Sequence, residues 1–301
     1  MNPWYTEYGD LLRYIFPDFK VQKISVNAGF SCPNRDGTIS TGGCIYCNNR
    51  SFSPSYCDPS SSITEQITRG KEFFGRKYPR MKYLAYFQSY TSTFTTATDR
   101  LVSLWREALS VPDVVGLVIG TRPDCFPQKL VEILAEINRT TPVFVEFGVE
   151  TSHDETLRII NRGHSWQDSV DAVTRSAEAG LHTGIHLIAG LPGESDDDVL
   201  TTVSRAVELL ISSLKMHQLQ VIRDTTLHRL ISEKKISCDL YTPDRYLDLC
   251  VKIIRMTPRS IALERFVSSS PADLLVAPRW NLKNYQFVNL LHNRLKQLSK
   301  P

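Results

Sequence analysis

Residues 32–47, CPNRDGTISTGGCIYC, place Cys32, Cys44 and Cys47 in a C-x11-C-x2-C array. Three thiols in one loop, two of them a CxxC pair, point to metal chemistry, because thiolates bind soft metals and close spacing lets them share a site. Three is one more than a disulfide takes and one fewer than a closed structural zinc site takes. Spacing alone leaves two readings open. A zinc ion could use the three cysteines with Cys57, ten residues on, or with water. A cubane iron–sulfur cluster could instead be held by all three, leaving one iron open to a molecule carrying an amine and a carboxylate. Tyr46 would then shield one face. Incidental buried thiols are a third reading, and the clustering beside Gly42-Gly43 speaks against it.

The rest of the chain must position that loop. With 301 residues, 42% hydrophobic and 22% charged, it has the composition of a globular protein with a large core. A net charge of +3 is too small to imply a nucleic-acid partner by itself. Seven cysteines, an odd number, argue for a reducing compartment. The N-terminus lacks a basic region before an apolar run, and no stretch reaches the ~18 apolar residues of a membrane span. The expectation is a soluble cytoplasmic protein with no membrane partner.

Strand-like and helix-like segments alternate at intervals of ~30 residues, the signature of βαβ units and a parallel sheet. Strands are expected at Lys23–Gly29, Lys82–Ser89, 114–121, 142–150, 183–193, 215–222 and 260–267. Between them, Ser62-x-x-Glu65 is a capping box for a helix ending before Pro79, and Leu101, Leu104, Trp105 and Ala108 recur at helical spacing. Pro127 suits a first helical position, Ser152 and Ser195 suit caps, Gly180 suits a helix end, and Thr242-Pro243 opens a further helix. Six or seven such units suit a complete or incomplete barrel better than an open doubly wound sheet. In either architecture the chemistry belongs on loops after the C-terminal ends of strands, and the cysteine loop follows the first strand.

Several segments together carry a family resemblance. NAGFSCPNRDG…GGCIYCNN, YFQSYTST, IGTRPDC, EFGVETSHDETLRIINRGH, HLIAGLPGES and LLVAPRW resemble, in order and across nearly the whole chain, the YhcC-like branch of the radical S-adenosylmethionine (SAM) superfamily. That branch is related to the catalytic subunit of Elongator and to oxygen-independent coproporphyrinogen oxidase. The resemblance implies an α/β fold, a partial (β/α)6 TIM-like barrel. It also implies a 4Fe–4S cluster on Cys32, Cys44 and Cys47, with SAM as the second cofactor. An electron from a flavodoxin- or ferredoxin-like donor would break the C–S bond of SAM. The products are methionine and a 5′-deoxyadenosyl radical that abstracts hydrogen from a substrate.

Residue by residue, the resemblance places the methionyl amino group near Gln88 and Ser89, where relatives have a Gly-Gly-Glu triplet absent here. Glu150 matches a residue that binds ribose hydroxyls, and Arg162 one whose guanidinium fork pairs with the methionyl carboxylate. His186 stands where an acidic residue touches ribose, and Gly190, Pro192 and Gly193 form the turn beside adenine. Cys125, in TRPDC, is a candidate catalytic thiol. Asp224-Thr225 departs from the Gly-Thr of the branch, which puts close backbone contact there in question.

The substrate is less legible. Residues 1–270 read as the barrel with its lead-in, and 271–301 as a basic helical extension. Within it, residues 279–301 hold Arg279, Lys283, Arg294, Lys296 and Lys300 and no acidic residue, and Val288, Leu291, Leu295 and Leu298 form an apolar stripe. Kinship to the Elongator subunit points to tRNA as the leading substrate class. A small molecule or peptide is the rival, and a non-catalytic zinc-bound nucleic-acid-binding protein is the alternative outside the enzymes.

Overall fold

The computed structural model describes residues 2–75 and 80–299. In chain order the elements are β1 (Thr6–Glu7), α1 (Tyr8–Ile15), β2 (Val21–Val26), α2 (Ile63–Gly75), β3 (Lys82–Phe87), α3 (Thr98–Ser110) and β4 (Val114–Thr121). There follow α4 (Gln128–Asn138), β5 (Val143–Glu150), α5 (Asp154–Ile159), α6 (Trp166–Glu178), β6 (His182–Ala189) and α7 (Asp196–Val207). The chain ends through β7 (Ser213–Gln218), β8 (Val221–Ile222), α8 (Thr226–Ser232), α9 (Pro243–Met256), β9 (Ala262–Arg265), β10 (Leu275–Ala277) and α10 (Asn284–Leu298).

Eight strands form one parallel sheet in the order β1-β9-β7-β6-β5-β4-β3-β2. The sheet curls into a partial TIM-like barrel, so that Lys23 on edge strand β2 reaches Glu264 on β9 at 2.7 Å. The alternation of each strand sorts its side chains between two cores. Outward-facing Ile24, Ala85, Leu117, Val145, Ile185 and Leu214 join helix residues such as Ile67, Trp105, Leu134 and Val203 in the main core. Inward-facing Leu84, Tyr86, Val118 and Phe144 pack with Phe16, and with Leu12 and Ile15 of α1, in a separate cluster that closes the lumen's N-terminal end.

The expected strands and most helix starts are present, with local differences. Ser62 and Glu65 cap α2 reciprocally, the Ser62 amide donating to Glu65 Oε2 at 2.9 Å and the Glu65 amide to Ser62 Oγ at 3.2 Å. The expected limit of that helix, Pro79, lies outside the described residues. Pro127 is the N-cap of α4 rather than its first helical residue. His153, not Ser152, caps α5, because the Ser152 hydroxyl is engaged with Thr202 Oγ1 at 3.1 Å. The strand expected at 215–222 breaks at Leu219-Gln220: β7 stays in the barrel, and β8 turns to pair antiparallel with β10. Neither β1 nor α1 was signalled, since a two-residue strand has no period to detect.

The C-terminal helix docks on a stripe rotated from the expected one. Phe287, Leu291 and Leu295 are buried, while Leu298 is half exposed. The shift follows from Phe287, which stacks on Trp280 with ring centroids 5.9 Å apart and also meets Tyr246. Arg294 pairs with Asp244 and Asp248 of α9, and Arg279 donates to the carbonyls of Leu275 and Val276. Two of the basic residues are thus engaged within the chain, and Lys300 lies outside the described residues.

The lumen floor is ionic. Buried Glu146 of β5 accepts from Lys23, from Lys215 of β7 at 2.9 Å, from the Tyr86 hydroxyl at 2.7 Å, and lies 2.8 Å from His186 Nε2. Lys23 and Lys215 also reach Glu264, at 2.7 and 3.2 Å. Burial opposes the charge on Glu146, but Lys215, Lys23 and His186 outweigh it and hold the carboxyl well below the usual range. Removing one partner of such a set strands the others in low dielectric. Glu146→Ala is therefore expected to cost about 3–5 kcal/mol in urea unfolding. A cost below about 1 kcal/mol, the range of exposed ion pairs, would mean that solvent already screens the lumen charges.

Candidate active site

The cysteine loop crosses the barrel mouth and is held by the segment that follows α5. Asn34 donates through Nδ2 to the carbonyls of Asn161 and Arg162 at 2.6 and 2.7 Å, and the Ile45 amide donates to Ile160 at 3.0 Å. Asn161 returns a bond to the Gly43 carbonyl at 2.9 Å, and the Leu227 amide of α8 donates to the Ile45 carbonyl at 2.7 Å. Ile45 itself sits in a small apolar cluster with Leu157, Ile160, Leu191, Leu219 and Leu227. At Gly163 φ is +77°, and a Cβ would lie 2.6 Å from Asn34 Oδ1, so a side chain there would push Asn34 off the loop.

This pinning brings Cys32, Cys44 and Cys47 to one cavity of about 490 Å³ at the C-terminal ends of the strands. All three are free thiols. Burial raises the Cys47 thiol to about 12, with the nearby sulfur of Cys44 adding to the effect. Arg162 donates through Nη1 to Cys44 Sγ at 3.5 Å and through Nη2 to the Gly148 carbonyl, and Nη2 lies 3.4 Å from Glu150 Oε1. A Cβ on Gly148 would stand 2.7 Å from both the guanidinium and the carboxylate, so glycine permits this approach. Glu150 adopts φ +72° where the β5–β6 register shifts, an arrangement that carries backbone strain.

The other sequence-derived residues fall at different depths. Gln88 lines the cavity and accepts from Ser25 Oγ at 3.0 Å, whereas Ser89 is buried behind it. His186 lines the cavity but is engaged with Glu146. Gly190 faces the Tyr241 ring, and Gly190, Pro192 and Gly193 lie outside the cavity lining. Cys125 is half-buried next to Asp124, and burial followed by that carboxylate raises its thiol to about 12. Asp224 adopts φ +62°, the left-handed conformation that the Gly of the branch would take without strain. Sequence reasoning missed Asn34, Arg122, Glu146, Lys215 and His217. Asn34, Arg122 and Glu146 stand within the motifs that carry the family resemblance, and a charged residue inside an apolar strand, as at Glu146 and Lys215, is the signal that could have found the lumen pair.

Among the described residues no group of three or more His, Cys, Asp or Glu side chains is arranged to hold a metal ion. The surroundings do fit a negatively charged iron–sulfur group on the three thiols. Arg162 Nε and Arg122 Nη1 are buried with no protein partner, and both arginines line the same cavity as the thiols. A polyanionic group would supply the counter-charge and the acceptors that these donors lack.

The family model of the Radical SAM superfamily matches residues 34–206, and that of the Radical_SAM C-terminal domain matches residues 211–297. The chain belongs to the radical SAM superfamily. It is 37% identical over 273 residues to Protein YhcC of Escherichia coli (strain K12), covering 90% of this chain and 85% of that one. A partial match, 26% identical over 165 residues, links it to the tRNA uridine(34) acetyltransferase of Methanocaldococcus infernus, covering 54% of this chain and 30% of the other. The solved structure of the archaeal Methanocaldococcus infernus Elp3 with an N-terminal deletion shares the fold, with a TM-score of 0.68 at 17% identity. That alignment covers 93% of this chain but only 63% of the Elp3 chain. The partial barrel is thus the scaffold of a radical SAM enzyme.

The lumen histidines give the site a pH signature. His217 packs against His186 and shares a hydrogen bond with Ser268 Oγ at 2.7 Å. Burial lowers both imidazoles, and the neighbouring positive charge of Lys215 adds to it. A histidine lowered on folding contributes stability that is present above its unfolded pKa of about 6.5 and is lost as pH falls from there toward the folded pKa. Unfolding free energy should therefore fall as pH is lowered through about 6.5. His217→Asn should flatten that slope in denaturant titrations at several pH values, and an unchanged slope would show that folding leaves the His217 pKa where it stands in the unfolded chain.

Proposed function

We propose that this protein cleaves SAM reductively at a cubane 4Fe–4S cluster and uses the resulting radical to take a hydrogen atom from a substrate bound over the lumen. The observation that carries this reading is the gathering of three free thiols, Arg162 and Glu150 around one cavity at the strand ends. When bound, the cluster supplies the electron that breaks the C–S bond of SAM, giving methionine and the 5′-deoxyadenosyl radical.

The protein's own residues bind and orient. Cys32, Cys44 and Cys47 hold the cluster. Arg162 offers a fork to the methionyl carboxylate, and Glu150 accepts from ribose hydroxyls. The two are now paired at 3.4 Å, so SAM would take over one arm of each. Gln88 and the Ser89 backbone serve the methionyl amino group, His186 the ribose side, and the Gly190–Gly193 turn the adenine. Cys125, kept protonated by burial, suits a thiol that gives up a hydrogen atom rather than a nucleophile. Tyr46 and Phe52 line the cavity beside the cysteines. A flavodoxin- or ferredoxin-like protein is the one-electron donor, and the cytoplasm its setting. Residues 271–301 act as an extension on the barrel.

A tRNA base is the leading substrate, supported by the partial match to the tRNA-modifying relative. The engagement of Arg279 and Arg294 within the chain weakens the C-terminal helix as an RNA contact. RNA binding would weaken steeply with salt, whereas turnover of a small molecule would not.

The test uses anaerobically reconstituted protein assayed for iron, sulfide and zinc, then given dithionite and SAM. About four irons per chain and formation of 5′-deoxyadenosine are expected. Cys44→Ala should lose both together. Stoichiometric zinc without sulfide, or undiminished cleavage by Cys44→Ala, would overturn the assignment. Faster deoxyadenosine formation on adding bulk tRNA, suppressed by salt, would support the substrate class.

A further inference from the structure

The barrel mouth buries a second guanidinium that the reading above leaves without a task. Arg122, just past β4, is only 2% exposed. Its Nε and Nη2 donate to Asp124 at 2.9 and 2.8 Å, while Nη1 is buried with no protein partner. It lines the same cavity as the three thiols. Around the vacant Cβ position of Gly163, Arg122 Nη2 lies 3.4 Å away and Asn34 Oδ1 2.6 Å away, and Asn34 Nδ2 stands 3.7 Å from Cys44 Sγ. Arg122 is thus one side chain removed from the Cys44 thiol.

The local charges do not cancel. Glu150 pairs with Arg162 and Asp124 with Arg122, and Asp168 also lies within the field of Arg122. Of the charged groups beside the thiols, however, the guanidiniums of Arg35, Arg122 and Arg162 and the single carboxylate of Glu150 line the cavity itself, so its wall there is cationic before the thiols ionise. At nearby His164, burial, with the Arg162 charge adding to it, pulls the pKa down to about 4.

We propose that Arg122 is a positioning residue for electron uptake, raising with Arg162 the reduction potential of the group held by Cys32, Cys44 and Cys47. One electron passes from the external one-electron donor to that group, and no protein bond forms or breaks. The electron arrives at a site that three thiolates already make negative. A fixed positive charge in a poorly solvated pocket offsets that repulsion more than it could in water, and net charge is one of the factors that set such potentials. Asp124 moderates the effect by neutralising part of the Arg122 charge. The proposal rests on the cluster assignment of the preceding section.

The test is a mediated redox titration of the reconstituted protein without SAM, followed by absorbance and electron paramagnetic resonance. Arg122→Met should lower the equilibrium constant for reduction tenfold or more, a fall of about 59 mV for one electron. Arg122→Lys, which keeps the charge but loses the fork, should recover most of it. Asp124→Asn should move the midpoint upward. Loss of a mere loop staple would affect Arg122→Met and Asp124→Asn in the same direction, so opposite shifts distinguish the field from the staple. Coincident midpoints, or shifts of one sign, overturn the proposal. If Arg122→Met fails to hold iron, Asp124→Asn decides alone: an upward shift supports the proposal, and any other result overturns it. Wild-type protein that takes zinc and no sulfide overturns the cluster reading and this inference together. Wild-type protein with a cluster and coincident variant midpoints overturns this inference alone.

Discussion

The rest of the structure depends on the ion network across the lumen. A parallel sheet can remain open, and nothing in strand propensity forces the curl. Here Lys23 on one edge strand and Glu264 near the other edge share a contact, with Glu146 and Lys215 between them. The set joins β2, β5, β7 and β9 through side chains as well as through neighbouring ladders. It also constrains packing, because four charged groups at the centre must be matched to one another before any can be buried. The Tyr8 and Tyr86 rings lie against Lys23, with its Nζ 4.4 and 5.2 Å from their centroids, so even the stem of the network is covered.

Above this floor the constraint changes from ion pairs to backbone hydrogen bonds. The cysteine loop has little regular structure, and its shape comes from the Ile160–Gly163 segment and from Asn34. Asn34 meets both ends of the problem, since Nδ2 touches the backbone of Asn161 and Arg162 and also faces Cys44 Sγ. Arg162 has the same double role, bound to a β5 carbonyl and to the same sulfur. Loop geometry and sulfur environment are therefore set by the same few groups. A change that loosened one would disturb the other.

Much of this was legible in the sequence, for reasons that differ by region. Strands such as Val114–Thr121 and Val143–Glu150 announced themselves by short apolar runs, and capping boxes at Ser62 and Ser195 marked helix starts. The cysteine spacing and the INRGH segment pointed to two parts of one site that lie more than a hundred residues apart. Charged residues inside strands were harder. Glu146, Lys215 and Lys23 each look like a polar interruption, and only the curl of the sheet makes them partners. The short β1 escaped for a related reason: its two residues carry no pattern, and its place beside β9 depends on where the chain's end returns. Phe287 in place of Val288 on the docking stripe was decided by the Trp280 ring, a contact that helical periodicity does not contain.

The two charged layers have different consequences for what can bind. In the floor, Lys23 and Lys215 are each met by both Glu146 and Glu264, and Arg265 beside them donates to the Val267 carbonyl, so these charges are largely answered within the protein. The mouth holds guanidiniums in excess of carboxylates, and three thiols whose ionised forms would more than offset that excess. An anionic group is therefore drawn to the mouth and has little reason to descend. The lumen is left to groups that can exchange hydrogen bonds with Gln88, whose partner is the neutral Ser25 hydroxyl, without displacing a counter-ion. Under the proposed reading, this keeps the charged end of SAM beside the cysteines and leaves the space over the floor to the hydrogen donor. The separation follows from where the charges are paired and where they are not, and it needs no moving part.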